Sequence, residues 1–497
     1  MTERMSYADA LMWNIERDPA LRSTITSVFV FDREIERDVI LRRFERLTHV
    51  FPKARQRVRS NPLSVAPPRW EVDPHFDLHF HVWWVKAPGK GTMEDLLRLA
   101  EPIAMSGFDR ARPLWRAVVV EGLEHGKSAL IMKIHHAVTD GVGGMQVQLE
   151  LLDFEPDAPE RSMPPAPEVK VLNQAERWLD ASLYEVRRQL DIARRMGQLA
   201  SASTALVTRP SDTAKAVGDM ASSIARTVRP VSGRLSPLFR GSSLSARFDT
   251  VTVPLDRAKA AAKVAGGKLN DAFVAGLLLG LAEYHRRHGI EGAVSLRMAM
   301  PINVRTGPAE GLGGNAFVPA RIELTVETDD PVEVMREVHD RVDFARGEPA
   351  NSVVNEVSGV LNRLPSSMVT AVFGSMVKSI DFTASNVPGA PFPVYMAGAK
   401  MLTQFPFGPL AGAALNITLL SYENALNIGV NSDPAAVPDP DVLTECLELG
   451  FERVLAAAPE VKKAPARTSK PRKKTTSRSR AAAAAPAATA TTAASAD

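Results

Sequence analysis

Ala129-Leu-Ile-Met-Lys-Ile-His135-His136-Ala-Val-Thr-Asp140-Gly141-Val-Gly143-Gly144 is the stretch on which the reading of this chain turns. Its first six residues are apolar except for Lys133, and they are few enough for a buried strand. That strand runs straight into His135 and His136. A small spacer follows, then Asp140-Gly141 and Gly143-Gly144, which mark a turn. Side chains alternate along an extended strand, so His136 is expected to share a face with Leu130, Met132 and Ile134, with His135 pointing elsewhere. An imidazole at the end of a buried strand, beside glycines, can exchange protons near neutral pH. Three plainer readings compete. The pair could be satisfied core histidines. It could be a set of metal ligands, although adjacent strand positions diverge and no HExxH spacing is present. Asp140-Gly141 could be a turn and nothing more.

Other blocks accompany the histidines. His135-His136-Ala-Val-Thr-Asp140-Gly141 resembles the HHxxxDG motif of the CoA-dependent acyltransferase superfamily. Upstream, Asp109-Arg-Ala-Arg-Pro113-Leu114-Trp115 resembles the DRxRPLW segment of one branch, the bacterial wax ester synthase/diacylglycerol acyltransferase family. Leu269-Asn270-Asp271, Pro301-Ile-Asn303-Val-Arg305, Gly313-Gly-Asn315 and Ser385-Asn386-Val-Pro388-Gly389 each resemble a further block, in the family's order. The resemblance spans Met5 to Val454 and is far more specific than HHxxxDG alone.

Composition sets bounds. At 497 residues the chain exceeds one ordinary core, so two domains are the default. The single cysteine, Cys446, excludes an internal disulfide; its apolar surroundings argue against a thiol nucleophile. The N-terminus lacks a basic-then-apolar signal pattern, and the longest apolar run, Ala272 to Ala282, is short for a membrane span, so no spanning segment is expected. Nine Lys or Arg and no acid lie between Val461 and Arg480. The tail therefore carries about +8, and a body near about −5 underlies the formal +3.

Read in order, Ser6 caps an opening helix, Thr24 to Phe31 is a strand and Val39 to Val50 a helix ended by Phe51-Pro52. Phe76 to Val82 alternates as a strand, with His79 and His81 on one face; a polar strand face outweighs a metal pair there. Prolines from Pro156 to Pro167 mark a connector. Val171 to Leu199 is amphipathic, with Leu172, Leu179, Leu183, Val186 and Leu190 near one stripe and arginines largely away from it. Such a helix either packs across domains or lies on an anionic lipid surface. Thr250 to Pro254 opens a second domain. Asn270 is a candidate cap of the apolar helix that follows, Val294 to Met300 is a strand carrying Arg297, and Ser385 to Gly389 is a turn. The expected division is 1–155, a connector 156–245, 246–460, and a tail 461–497 too poor in apolar residues to bury a core. That tail solubilises, or touches anionic lipid or, nonspecifically, nucleic acid.

The resemblance implies an α/β fold of two chloramphenicol-acetyltransferase-like domains, each a mixed sheet flanked by helices, with an active-site tunnel between them. It implies transfer of a fatty acyl group from acyl-CoA to diacylglycerol, or to a fatty alcohol, with His136 as general base and His135 beside it. Asp140, Arg297 and Gly141 would be structural at the site, with Arg305 the rival partner for Asp140. A buried Arg297 requires a carboxylate in any case. Gly144, Asn270, Ser385 and Asn386 are candidates for contacting substrate or the oxyanion. No metal or held cofactor is implied, since acyl-CoA arrives as a substrate. The expected setting is the cytoplasm, at the inner membrane face or lipid bodies, with no specific nucleic-acid partner. Two other classes stay open: an acyltransferase for a polyketide or sugar hydroxyl, and a non-catalytic lipid-body protein.

Overall fold

Two mixed six-stranded sheets organise the computed structural model, which describes residues 4–60, 66–139, 141–201, 233–303, 317–347 and 374–459. The strands are β1 (Thr24–Phe31), β2 (Gln56–Arg59), β3 (Arg69–Val72), β4 (Val82–Lys86), β5 (Trp115–Glu121), β6 (Ser128–His135) and β7 (Arg247–Pro254). They continue as β8 (Val294–Asn303), β9 (Phe317–Val326), β10 (Phe382–Val387), β11 (Tyr395–Met396), β12 (Ala399–Phe407), β13 (Leu415–Tyr422) and β14 (Ala425–Ser432). The first sheet has the order β11-β12-β1-β6-β5-β4 and the second β7-β14-β13-β10-β8-β9. In the first, β4 and β5 run parallel and the other neighbours antiparallel. In the second, β10 is parallel to both β8 and β13. β2 and β3 form a separate ribbon. This is an α/β fold.

The helices are α1 (Tyr7–Ile15), α2 (Arg37–Val50), α3 (Leu78–His81), α4 (Met93–Met105), α5 (Gly141–Leu151) and α6 (Gln174–Ser201). After them come α7 (Leu255–Val264), α8 (Leu269–Arg287), α9 (Pro331–Arg346) and α10 (Pro440–Ala456). Local chemistry sets their starts. Ser6 accepts from Asp9 N ahead of α1, Thr92 and Asp95 form a capping box on α4, and Asp330 caps α9 before Pro331. α8 is apolar on nearly every side, and the fold accordingly buries it, against α7, α9 and α10. Gly450 of α10 lets two helices touch: a Cβ there would sit 2.2 Å from Gly276 O in α8. Among the described residues no single helix is long and apolar enough to cross a membrane; α7 and α8 would be only as a pair, and they meet at 93°.

The expected boundary at residue 246 needs one amendment. β11 and β12 come from the C-terminal span, yet β12 pairs with β1 in the first sheet, Val28 opposite Phe405. β12 also lies against the second sheet: a Cβ at Gly429 of β14 would be 1.9 Å from Pro406 O, and Phe248 of β7 stacks on Phe407 at 4.0 Å. The chain to Pro459 forms one compact unit.

Candidate active site

β6 is buried along its whole length between β1 and β5, so the histidine pair is delivered by a strand with neighbours on both sides. The strand ends at His135, which pairs with Thr24. His136 lies one residue beyond, on a turn, so the alternation expected to place it with Leu130, Met132 and Ile134 stops short of it. Its N–H donates to Ser23 O at 2.8 Å, and Val138 N–H donates back to His135 O at 2.9 Å. His136 is half-buried, whereas His135 is buried.

His135 has a fixed ring. Its Nδ1 accepts from Ala137 N–H at 3.0 Å, and its Nε2 lies 2.9 Å from Glu16 Oε1. Trp13 and Phe108 meet the ring edge-on at 5.7 and 6.2 Å. Glu16 closes the end of α1 and also accepts from Ser23 N–H at 2.5 Å. Burial raises the Glu16 carboxyl, but His135, the Ser23 N–H and Arg110 outweigh it and hold the acid below its ordinary range. Arg110 lies over Trp13 at 4.1 Å and donates to Trp13 O at 3.3 Å. The Arg110 of the DRARPLW block thus backs the wall that carries Glu16. Trp115 of the same block packs, stacking on Phe44 and His81 while Nε1 donates to Ala54 O at 2.7 Å. Glu16 escaped the sequence reading because no spacing ties a carboxylate at a helix end to a distant strand.

Lys133, also on β6, is buried with Nζ donating to Ser106 O at 2.5 Å and Ser106 Oγ at 2.8 Å. Desolvation, with Arg116 and Arg22 nearby, pushes its amine down to about 7. The glycines expected to form a turn instead open a helix: α5 begins at Gly141, and Gly143 and Gly144 lie in its first turn. Glycine tolerates the helix at about 1 kcal/mol relative to alanine, and the Met145 to Leu151 run extends it. The first-turn N–H groups of a helix lack intrahelical acceptors and carry partial positive charge. Asp140, Arg305 and the Gly313-Gly-Asn315 block lie outside the described residues.

The remaining candidates sit on the second sheet and its helix. Arg297 of β8 is buried; its guanidinium pairs with Glu323, its cross-strand partner on β9, and its backbone N–H donates to Oδ2 of the buried Asp381 at 2.7 Å. Nε and Nη2 donate to Glu323 Oε1 at 3.1 and 3.0 Å, while Nη1 donates to Gly233 O and Ser379 O, both at 2.9 Å. Asn270 does not cap α8. Lys268 holds the cap position, its N–H donating to Asp271 Oδ2 at 2.7 Å, and Asn270 is the second residue of the helix, with Nδ2 3.8 Å from Met300 Sδ. Ser385 and Asn386 are not a turn either. They continue β10, opposite Thr418 and Leu419 of β13, and Val387 beyond them packs against the first sheet's core. His79 and His81 end α3 rather than lining a strand; Asp77 accepts from His79 N–H and closes that turn. The structure therefore gathers His135, His136, Gly141 and Gly144 at the junction of β6 and α5.

Comparison with known proteins covers nearly the whole chain. Residues 5–273 match the family described as the wax ester synthase/diacylglycerol acyltransferase catalytic domain, and residues 313–454 match its C-terminal domain. A Mycobacterium tuberculosis protein provisionally named a diacylglycerol O-acyltransferase is 35% identical over 468 residues, covering 92% of this chain and 93% of the relative. A second M. tuberculosis protein of the same provisional name is 29% identical over 476 residues, covering 92% and 97%. The solved wax ester synthase/diacylglycerol acyltransferase of Marinobacter aquaeolei VT8 superposes with TM-score 0.60 at 21% identity, covering 92% of this chain and 99% of that one. The first condensation domain of the calcium-dependent antibiotic synthetase gives TM-score 0.56 at 16% identity, covering 92% and 97%. These two likenesses establish the chloramphenicol-acetyltransferase-like fold.

Proposed function

The chain belongs to the wax ester synthase/diacylglycerol acyltransferase family, and from that premise we propose that it makes triacylglycerol by moving a fatty acyl group from acyl-CoA to diacylglycerol. Long-chain alcohols are the second acceptor, giving wax esters. The observation that carries the reading is the placement of His136 just past a buried strand, on a turn that leads into the glycine-rich start of α5. His136 takes the proton from the acceptor hydroxyl as its oxygen attacks the thioester carbonyl. The C–S bond then breaks, and the thiolate leaves as CoA after recovering that proton. The developing oxyanion meets first-turn N–H groups of α5, from Gly141 to Gly144. No covalent acyl-enzyme and no resident cofactor enter this scheme.

A diacylglycerol acceptor resides in lipid, and α6 supports work at such a surface. It is anchored through Tyr184, which meets Tyr7, and Asp180, which meets Arg69, while Leu179, Leu183, Val186 and Leu190 are exposed. An apolar stripe of this kind suits the cytoplasmic face of a membrane or a lipid body.

The test measures CoA release by purified protein given palmitoyl-CoA with diacylglycerol, hexadecanol or neither. Release that requires an acceptor, and is faster with diacylglycerol, is expected. Release with neither lipid acceptor, or none with both, would remove this substrate assignment.

A further inference from the structure

We propose that Glu16 is a positioning residue for the reaction, because one of its carboxylate oxygens holds the peptide groups on both sides of His136. The proposal rests on the reading of His136 as the base. Glu16 Oε1 accepts from Ser23 N–H at 2.5 Å, and Ser23 O accepts from His136 N–H at 2.8 Å. The same oxygen lies 2.9 Å from His135 Nε2, and His135 Nδ1 accepts from Ala137 N–H at 3.0 Å. The N–H entering His136 and the N–H leaving it are thus each one relay away from a single atom. Arg110 Nη2 stands 4.0 Å from the other oxygen, Oε2.

Proton counting makes this relay directional. A neutral imidazole carries one ring proton. With Nδ1 accepting from Ala137, that proton must sit on Nε2, facing Glu16. Without the carboxylate, His135 is free to adopt the other tautomer. Its Nδ1–H would then face the Ala137 N–H, donor against donor, and the turn carrying His136 would shift. Glu16 acts through His135 and Ser23, so its loss should fall on the chemical step rather than on donor binding. Displacing a base by about 1 Å is enough for roughly 10²-fold.

The experiment uses the full chain, with Glu16→Ala and Glu16→Gln beside the wild type. Nitrogen-resolved NMR of the histidine rings reads the tautomer without any substrate, and steady-state kinetics read kcat and the KM for palmitoyl-CoA. The expected wild-type His135 is the Nε2–H form. Glu16→Ala should lower kcat roughly 10²-fold with KM changed by less than about twofold. Glu16→Gln, whose amide oxygen can still accept from Ser23 N–H and face His135 Nε2 without the charge, should return kcat to within about tenfold of wild type. A wild-type-like kcat in Glu16→Ala would overturn the proposal, as would a fall confined to KM. If Glu16→Ala does not fold, the tautomer and Glu16→Gln decide. An Nδ1–H His135 in an active wild type overturns this role alone, whereas a wild type inactive in acyl transfer removes the function it serves.

Discussion

His81 lies between the rings of Phe76 and Trp115, at 5.3 and 4.6 Å, and donates Nδ1–H to Trp115 O at 2.8 Å. Desolvation dominates, and the imidazole is driven down to about 4 from 6.5. Between those values the unfolded chain binds a proton that the native protein refuses, so stability is intact above pH 6.5 and falls as pH drops toward 4. The loss should be roughly 3 kcal/mol, and His81→Phe should remove most of it. Urea unfolding of both proteins at several pH values checks this; equal slopes would contradict it. Single residues were unevenly legible. The histidine pair stood out because two imidazoles ending an apolar run are chemically conspicuous. Glu16 did not, because its meaning comes from a contact between α1 and β6 that no local pattern encodes. Arg297 was readable as a buried charge needing a carboxylate, and the cross-strand register supplies Glu323 for it.

At the scale of elements, β1, α2 and β8 follow from periodicity and residue type, and they fall within a few residues of the sequence reading. The failures have a common physical origin. Ser385 and Asn386 have turn chemistry, but β13 offers a parallel partner whose ladder hydrogen bonds outweigh it. Phe76 to Val82 alternates, yet the Asp77 carboxylate captures His79 N–H and closes a helical turn first. Gly141, Gly143 and Gly144 accept either conformation, so the helix that follows decides. Close packing of α8 on α10 gives a prediction at this scale. Gly450→Ala places a Cβ against the backbone of Gly276, which cannot swing aside, and should cost about 1–3 kcal/mol. Chemical denaturation of the variant would show it; a cost near zero would mean that the helices can separate freely.

Across the whole molecule, β12 hydrogen-bonds within the first sheet while lying against the second, so the two halves share a strand rather than only a surface. Sequence order suggested two consecutive domains because a strand that returns to an earlier sheet leaves no local mark. The sharing predicts that both halves unfold together. All six tryptophans precede Leu179, so their fluorescence follows the N-terminal part alone, while amide exchange in α8 follows the second sheet's core. Coincident denaturant midpoints are expected, and two separated transitions would contradict it. The strands that carry His135 and the helix that begins at Gly141 depend on that shared frame for their geometry. The central claim, that His136 is the base of an acyl transfer, is tested most directly by His136→Ala with palmitoyl-CoA and the better of the two lipid acceptors. We predict a fall in kcat of about 10²–10⁴-fold in a protein whose circular dichroism and unfolding midpoint match the wild type. A folded His136→Ala protein that turns over at the wild-type rate would contradict it.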